Sequence, residues 1–169
     1  MAKLRKTLGG IDWPVCEALM RQIEPQSTVT LSRWAVDHAA REYLPLCGEA
    51  PALKAAVEGC RKHLTGQLSL KELKPLLREA SAAARDTEGA VEQAAARATA
   101  TACAVIQTPT NALGYLFYGA AAAAYSKAGT EDASRWDDLA RAELEQALEE
   151  LRAVSVPDEP NPAKINWNC

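Results

Sequence analysis

Two histidines are the first residues to consider for chemistry, because imidazole can serve as a general base or a metal ligand near pH 7. His38 and His63 are the only histidines, and neither has the Cys, His or carboxylate spacing typical of a metal site. His38 lies one helical turn from Trp34 and from Glu42. A catalytic role for His38 is open, but a structural or surface role is favoured for an isolated histidine.

Paired carboxylates could act as general acid and base, and two adjacent pairs occur near the end of the chain. They are Asp137 with Asp138, and Glu149 with Glu150. Neighbours in a helix point about 100° apart, so neither pair converges on one substrate. The sequence also has no nucleophile elbow, phosphate-binding loop, dinucleotide fingerprint or H-E-x-x-H motif. We therefore expect a protein that is not an enzyme, with no catalytic residue, metal site or cofactor.

Three tyrosines, Tyr115, Tyr118 and Tyr125, lie on one face of a strongly apolar helical segment. They could line a pocket or a docking surface, because a tyrosine ring is apolar and its hydroxyl is polar. The alternative is that the rings fill space left by alanine in the core and pass their hydroxyls to the rim. Aromatic stripes at helical spacing are usually core, so this alternative is favoured.

The last helical segment is rich in acid. Between residues 131 and 152 there are eight acidic side chains and three arginines. Such a helix could meet a basic partner, and we predict partner contacts for Asp137, Asp138, Glu145 and Glu149. The alternative is a solvated face with internal ion pairs, here Arg141–Glu145 and Glu149–Arg152.

Composition restricts the class of protein. The formal net charge of -3 does not suggest a nucleic-acid partner. The longest apolar run, residues 112–125, is shorter than the roughly 20 residues that cross a membrane. No export signal is recognisable at the start of the chain, so we expect a cytoplasmic protein. The five cysteines have no C-x-x-C pair, so we expect free thiols rather than disulfides or zinc.

The candidate histidines, tyrosines and acids must be positioned by helices, because alanine is abundant and β-branched residues are sparse. The pattern predicts a single all-α domain over residues 1–169, a bundle of six or seven helices around an alanine-rich hairpin at residues 94–125. Thr108 and Pro109 are expected to start the second hairpin helix, and Gly114 and Gly119 to mark a tight crossing. Ser69 and Glu72 form a capping box, and a kink or restart is expected at Pro75.

The two ends of the chain have a different character from the helical middle. Residues 1–11 carry basic side chains and glycine, so we interpret them as a loose basic leader. Residues 155–169 contain three prolines, which exclude helix. Because Ile165 and Trp167 are apolar, we expect an ordered, extended C-terminal arm rather than a mobile end.

Three segments carry a family resemblance: KLRKTLGGIDWP at residues 3–14, TPTNALGYLFYGAAA at 108–122 and EPNPAKINWNC at 159–169. Over most of its length the chain resembles the immunity-protein-5-like family of bacterial polymorphic toxin systems. The resemblance implies an all-helical, alanine-rich protein. Family members commonly have histidines near the positions of Gln107 and Asn111. This sequence has amides there, for which we expect a structural role in capping the second hairpin helix.

The resemblance implies a non-enzymatic binding protein with a protein partner, a cognate toxin that it neutralises by occlusion. The main alternative is a small helical scaffold or adaptor protein with a cellular partner. A third class, a bundle that binds a small molecule or has enzymatic activity at Tyr115 and Tyr118, is least favoured.

Overall fold

The computed structural model describes residues 4–167, and this part of the chain is an all-α bundle of seven α-helices without strands. The all-α fold class predicted from the sequence is confirmed. The helices are α1 (Pro14–Ile23), α2 (Thr28–Glu42), α3 (Pro51–Leu64), α4 (Leu70–Asp86), α5 (Ala90–Cys103), α6 (Asn111–Ala128) and α7 (Trp136–Val154). Short 3₁₀ turns at Leu44–Cys47, Ala104–Ile106 and Ala133–Arg135 connect them.

Helix α6 is the centre of the bundle. It packs most extensively against α5 and α7, and also contacts α1 and α2. The five consecutive residues 120–124, all alanine, are buried, so this helix is enclosed on every side over more than one turn. Because alanine is a strong helix former with little area to bury, large side chains from neighbouring helices fill the remaining space.

One of those large side chains explains a glycine in α6. An added Cβ at Gly119 would lie 2.2 Å from the Tyr43 ring, far inside contact distance. Gly119 therefore marks a close crossing, because only glycine leaves room for the fully buried Tyr43. The same expectation for Gly114 is wrong: its added Cβ would meet only Asn111 Oδ1, at 3.9 Å.

The start of α6 differs from the prediction. The helix begins at Asn111, two residues after Pro109, and its N-cap Thr110 makes no side-chain capping bond. Backbone bonds close the turn instead, from Asn111 N–H to Thr108 O and from Ala112 N–H to Pro109 O, each at 2.9 Å. Neither Gln107 nor Asn111 caps the helix, so the capping role expected for these amides is wrong.

Helix α4 runs without interruption through Pro75, so the predicted restart does not occur. The predicted capping box is present: Glu72 N–H donates to Ser69 Oγ, and Ser69 N–H to Glu72 Oε1. Proline removes one bond, to the carbonyl of Lys71 four residues earlier. Because Pro75 and Lys71 are both exposed, water can take the place of that bond.

The described part of the N-terminal segment is docked on the bundle, which corrects its interpretation as a loose leader. Leu8 is fully buried, and its N–H donates to Phe117 O of α6 at 3.1 Å. Arg5 N–H donates to Tyr125 Oη at 3.1 Å, while Tyr125 O–H donates to Arg5 O at 2.6 Å. The leader's first residues, 1–3, lie outside the described range.

The segment after α7 is extended and lies along the turn between α1 and α2. The buried Gln26 accepts from Val156 N–H at 2.7 Å and donates its amide to Val156 O at 3.3 Å. Its backbone carbonyl accepts from Ala163 N–H at 2.7 Å. Further along, the partly buried Trp167 donates its Nε1–H to Glu24 at 2.7 Å. The last two residues of the arm, 168 and 169, lie outside the described range.

Cys16, Cys47, Cys60 and Cys103 are buried free thiols, and Cys169 lies outside the described residues. Burial raises the pKa of the Cys16 and Cys47 thiols to about 11 in each case. Across residues 4–167, every helix is too short or too polar to cross a membrane.

Candidate functional site

A buried polar network joins α2, α6 and α7 at the middle of the molecule. His38 of α2 places its Nδ1 2.9 Å from Tyr115 Oη of α6 and its Nε2 3.1 Å from Glu143 Oε1 of α7. Tyr43, just after α2, donates its hydroxyl to the same Glu143 oxygen at 2.6 Å. All four side chains are at most 4% exposed. The sequence predicts a structural or surface role for His38, and the structure shows that His38 is buried.

Glu143 is one of the eight acids of the last helical segment, but it lies in the core and not on a solvated face. It lies three residues after Ala140 and four before Ala147, inside the apolar stripe that α7 turns toward the core. From that spacing alone, the burial of Glu143 could be predicted. An acid in a buried stripe needs paired donors, because an isolated buried carboxylate is strongly unfavourable.

The electrostatics of the network follow from these contacts. Burial alone would raise the pKa of Glu143, but hydrogen bonds from His38 and Tyr43 outweigh it and hold the pKa below its ordinary value. Burial, together with the charge of Glu143, raises the pKa of Tyr43 and Tyr115 well above the ordinary value for tyrosine. An ionised Glu143 accepts from His38 Nε2–H, which leaves Nδ1 to accept from the Tyr115 hydroxyl. The two ring nitrogens of His38, the hydroxyls of Tyr43 and Tyr115, and Glu143 Oε1 each have a partner in this arrangement.

A surface cavity of about 290 Å³ lies above His38, between α2 and the end of α7. Its wall combines the buried Trp34 with Val154 and Val156, which are 50% and 41% exposed. Trp34 is fixed by its Nε1–H bond to Ala147 O at 3.2 Å. The remaining lining residues are polar or charged: Thr30, Arg33, Asp37, His38, Arg41 and Glu150.

The charged residues of this cavity are largely paired with one another or with neighbours. Arg41 contacts both Glu42 and Glu150, and Asp37 lies 3.4 Å from Arg61 of α3. The second oxygen of Glu150 is buried without a hydrogen-bond partner and lies 3.7 Å from His38 Nε2. Since both His38 nitrogens are engaged, the cavity offers recognition by shape, apolar contact and charge rather than a free base.

The four acids predicted to contact a partner are all exposed on α7, but three of them have arginine partners. Asp137 lies 3.6 Å from Arg5 and Asp138 lies 3.7 Å from Arg141. Glu149 pairs with Arg152, as predicted. Among the described residues, Glu145 forms no ion pair.

The predicted Arg141–Glu145 pair is wrong. The Arg141 guanidinium lies over the Trp13 ring, 4.3 Å from its centroid, and reaches Asp138 instead of Glu145. A cation above an indole face is attracted by the ring quadrupole, which favours this side-chain position.

The three tyrosines of α6 do not meet in one pocket. Tyr115 belongs to the His38 network, and Tyr125 binds the Arg5 backbone. Tyr118 is half-buried near Arg97, whose guanidinium carbon is 6.0 Å from the ring centroid. The two hydroxyls with hydrogen bonds therefore point to different parts of the fold.

His63 has a local role, since its Nδ1 lies 2.9 Å from Leu68 O across the turn after α3. Within residues 4–167, no group of three or more His, Cys, Asp or Glu side chains could hold a metal ion.

Comparison with known proteins gives one match. The model of the family described as Imm-5 like putative immunity protein matches residues 21–153. No curated protein and no solved structure matches the chain. The matched segment contains α2 to α6 and nearly all of α7, and with them every member of the His38 network. Because the match covers well over half of the sequence, the chain belongs to this family.

Proposed function

We propose that this protein is a bacterial immunity protein that binds a cognate toxin in the cytoplasm and neutralises it by occluding its active surface. The observation that carries the proposal is the family match over residues 21–153. Neutralisation by occlusion needs a rigid surface complementary to the toxin and no chemistry in the immunity protein itself.

The geometry of the buried network supports a role without catalysis. A general base must reach the proton that it abstracts, within hydrogen-bond distance of a bound substrate. His38 is 1% exposed and has Tyr115 and Glu143 on its two ring nitrogens. Its contacts are those of a residue that fixes three helices relative to one another.

We propose that the partner surface consists of the acidic side of α7 and the adjoining cavity above His38. Protein interfaces typically combine an apolar centre that accepts an anchor side chain with a polar rim. The cavity provides Trp34, Val154 and Val156 as such a centre, and Glu150 of α7 forms part of its wall. Asp137, Asp138, Glu145 and Glu149 would form the charged rim.

The ion pairs with arginine do not prevent these acids from contacting a partner. Ion pairs between exposed side chains contribute only about 0–1 kcal/mol. Such a pair can therefore open when a basic partner approaches. A toxin that attacks nucleic acid is basic where it binds phosphate, and carboxylates covering that surface would also accelerate association.

The test requires a toxin gene in the genomic neighbourhood of the gene for this chain, and its absence would count against the proposal. Cells that produce the toxin should stop growing, and co-production of this chain should restore growth. The purified pair should form a stoichiometric complex in which the mass of the toxin is unchanged.

Two results would contradict occlusion. If growth is not restored, the toxin is not the partner of this chain. A toxin recovered with a changed mass would indicate an enzymatic mechanism. A specific cellular partner in place of the toxin would indicate the adaptor function instead.

A further inference from the structure

A second cavity, of about 200 Å³, lies between the N-terminal segment and the start of α5. Arg5 and Lys6 form one wall, and Arg97 forms part of the opposite wall on α5. Tyr125 of α6 also lines it. Leu4, Ala90, Gln93 and Ala94 complete the lining.

The charge of this cavity is positive, in a chain whose formal net charge is -3. Three of its eight lining residues are cationic and none is acidic. The nearest acid with a recorded contact is Asp137, 3.6 Å from Arg5 across an exposed pair that water screens. Glu92 folds back toward Gly89 at the start of α5, where a carboxylate offsets the positive end of the helix dipole. Arg97 and Lys6 form no ion pair among the described residues.

The guanidinium of Arg97 lies over the Tyr118 ring, with its carbon 6.0 Å from the ring centroid. Its Nε is buried, so an anion in the cavity cannot reach that atom. The two Nη groups form no hydrogen bond within residues 4–167, and an oxygen-bearing anion in the cavity would accept from them. A bidentate approach to a guanidinium is the geometry that phosphate and carboxylate favour.

The cavity wall is held in place before any ligand arrives. The backbone of Arg5 makes two hydrogen bonds with the Tyr125 hydroxyl, at 3.1 and 2.6 Å. Leu8 is bonded to Phe117 O and fully buried, so the segment is fixed on both sides of Lys6. Binding would therefore require little ordering of the backbone, which lowers the entropic cost.

We propose that this cavity binds a small oxyanion of phosphate type, which contacts Arg97, Arg5 and Lys6. A volume of about 200 Å³ is below the range of roughly 300–1,000 Å³ found for drug-sized ligands. The site therefore suits inorganic phosphate or a small phosphate monoester. It is separate from the cavity above His38 and does not depend on the toxin.

The test measures binding of inorganic phosphate and of methyl phosphate by calorimetry, with ionic strength held constant by chloride. We expect a Kd of about 1 mM or tighter for at least one of them. The ligand that binds more tightly distinguishes free phosphate from a monoester as the source. Arg97→Gln should weaken binding about 10- to 100-fold, because it removes charge-assisted hydrogen bonds. Arg97→Lys should also weaken it, since lysine keeps the charge but lacks the paired Nη donors of the guanidinium.

Two variants control for charge and folding. Arg78→Gln removes the same charge from an exposed position on α4 and should leave the Kd unchanged. Lys6→Gln alters an exposed side chain that cannot unfold the core, and should weaken binding about 2- to 5-fold. Absence of binding by the wild type up to about 20 mM phosphate would overturn the proposal. So would equal Kd values for wild type, Arg97→Gln and Lys6→Gln.

Discussion

Glu143 connects α7 to α2, because one of its carboxylate oxygens accepts from His38 of α2 and from Tyr43, the residue directly after that helix. Tyr43 and His38 both contact Glu143 Oε1, and Tyr115 extends the network into α6. A buried carboxylate is tolerable only when its hydrogen bonds are complete. Removing the Glu143 carboxylate therefore leaves His38 Nε2–H and the Tyr43 hydroxyl without their acceptor in the core.

We predict that Glu143→Gln lowers the free energy of unfolding by about 1–3 kcal/mol at pH 7, because it loses a charged acceptor. The folded pKa of Glu143 lies below its ordinary value. Its charge therefore stabilises the fold above the unfolded pKa, and the effect is lost as pH falls through the folded pKa. The difference between wild type and variant should shrink as pH drops below about 4.5. Denaturant titrations at several pH values measure it.

The control is Glu145→Gln, an exposed position two residues further along α7. It should change stability by no more than about 0.5 kcal/mol at any of these pH values. A Glu143→Gln variant as stable as wild type at pH 7 would show that the network does not stabilise the fold.

Part of this network could be predicted from the sequence. The spacing of Glu143 from Ala140 and Ala147 places it in the apolar stripe of α7. Its pairing with His38 could not be predicted, because it depends on how α2 and α7 lie side by side, and no local pattern specifies that. The same limit applies to the ion pair of Asp137, since its partner Arg5 comes from the N-terminal segment.

At the scale of elements, Gly119 and Gly114 occupy the same helix but meet different surroundings. An added Cβ at Gly119 would overlap the Tyr43 ring, which cannot move away without losing its bond to Glu143. An added Cβ at Gly114 would have only one atom nearby, at 3.9 Å.

We predict opposite effects for the two glycine substitutions. Gly119→Ala should destabilise the protein by about 1–3 kcal/mol or more through overpacking. Gly114→Ala should stabilise it by about 0.5–1 kcal/mol, because alanine has the higher helix propensity. Chemical denaturation of both variants measures the difference. Equal stability changes for the two would mean that α6 and Tyr43 are not in close contact.

Gln26 connects the extended arm to the turn between α1 and α2. Its side chain pairs with both backbone groups of Val156, much as a neighbouring β-strand would. We predict that Gln26→Ala lowers the free energy of unfolding by about 1–3 kcal/mol, because it leaves two backbone groups without partners. Limited proteolysis should then cut the arm after residue 155 faster than in wild type.

Gln146→Ala is the matched control, since Gln146 is exposed on α7. It should alter neither stability nor the rate of cleavage. Unchanged cleavage in Gln26→Ala would mean that the arm is held by contacts other than Gln26.

The helices themselves could be predicted from apolar periodicity and from local signals such as the capping box at Ser69. The predictions that are wrong concern positions where tertiary contacts or solvent outweigh local sequence preferences. Pro75 predicts a kink or restart, but α4 does not restart there, and the exposed position of Pro75 lets water replace the lost bond. The composition of the residues before α1 predicts a loose segment. Leu8 is nevertheless buried against α6, at a site that exists only in the folded bundle.

At the scale of the whole molecule, charge is distributed so that the acids of α7 draw partners from the N-terminal segment, from α2 and from α7 itself. The acidic face is thus less negative than the sequence of α7 suggests. Its proposed function depends on whether these exposed pairs open when a basic partner approaches.

We predict that reversing Asp137, Asp138, Glu145 and Glu149 to lysine slows association with the toxin and flattens its salt dependence. Electrostatic steering accelerates encounter most at low ionic strength. Stopped-flow association rates at several salt concentrations measure the effect. The helical content should be unchanged, because all four side chains are exposed.

The control reverses four exposed acids elsewhere, Glu58, Glu79, Asp86 and Glu88, and gives a variant of the same net charge. It should associate more rapidly than the α7 variant at low salt. Matching rates for wild type and the α7 variant would place the interface on another surface.

The docking of the segments before α1 and after α7 has a consequence for synthesis on the ribosome. Leu8 can reach its partner Phe117 only after more than a hundred further residues have been made. Gln26 likewise waits for Val156, which is made 130 residues later, and for Ala163 beyond it. Closing such long loops is entropically costly, so these contacts should form late. The nascent chain would then keep apolar surface of α1 and α6 uncovered until those residues have been made, a period in which it would depend on chaperones.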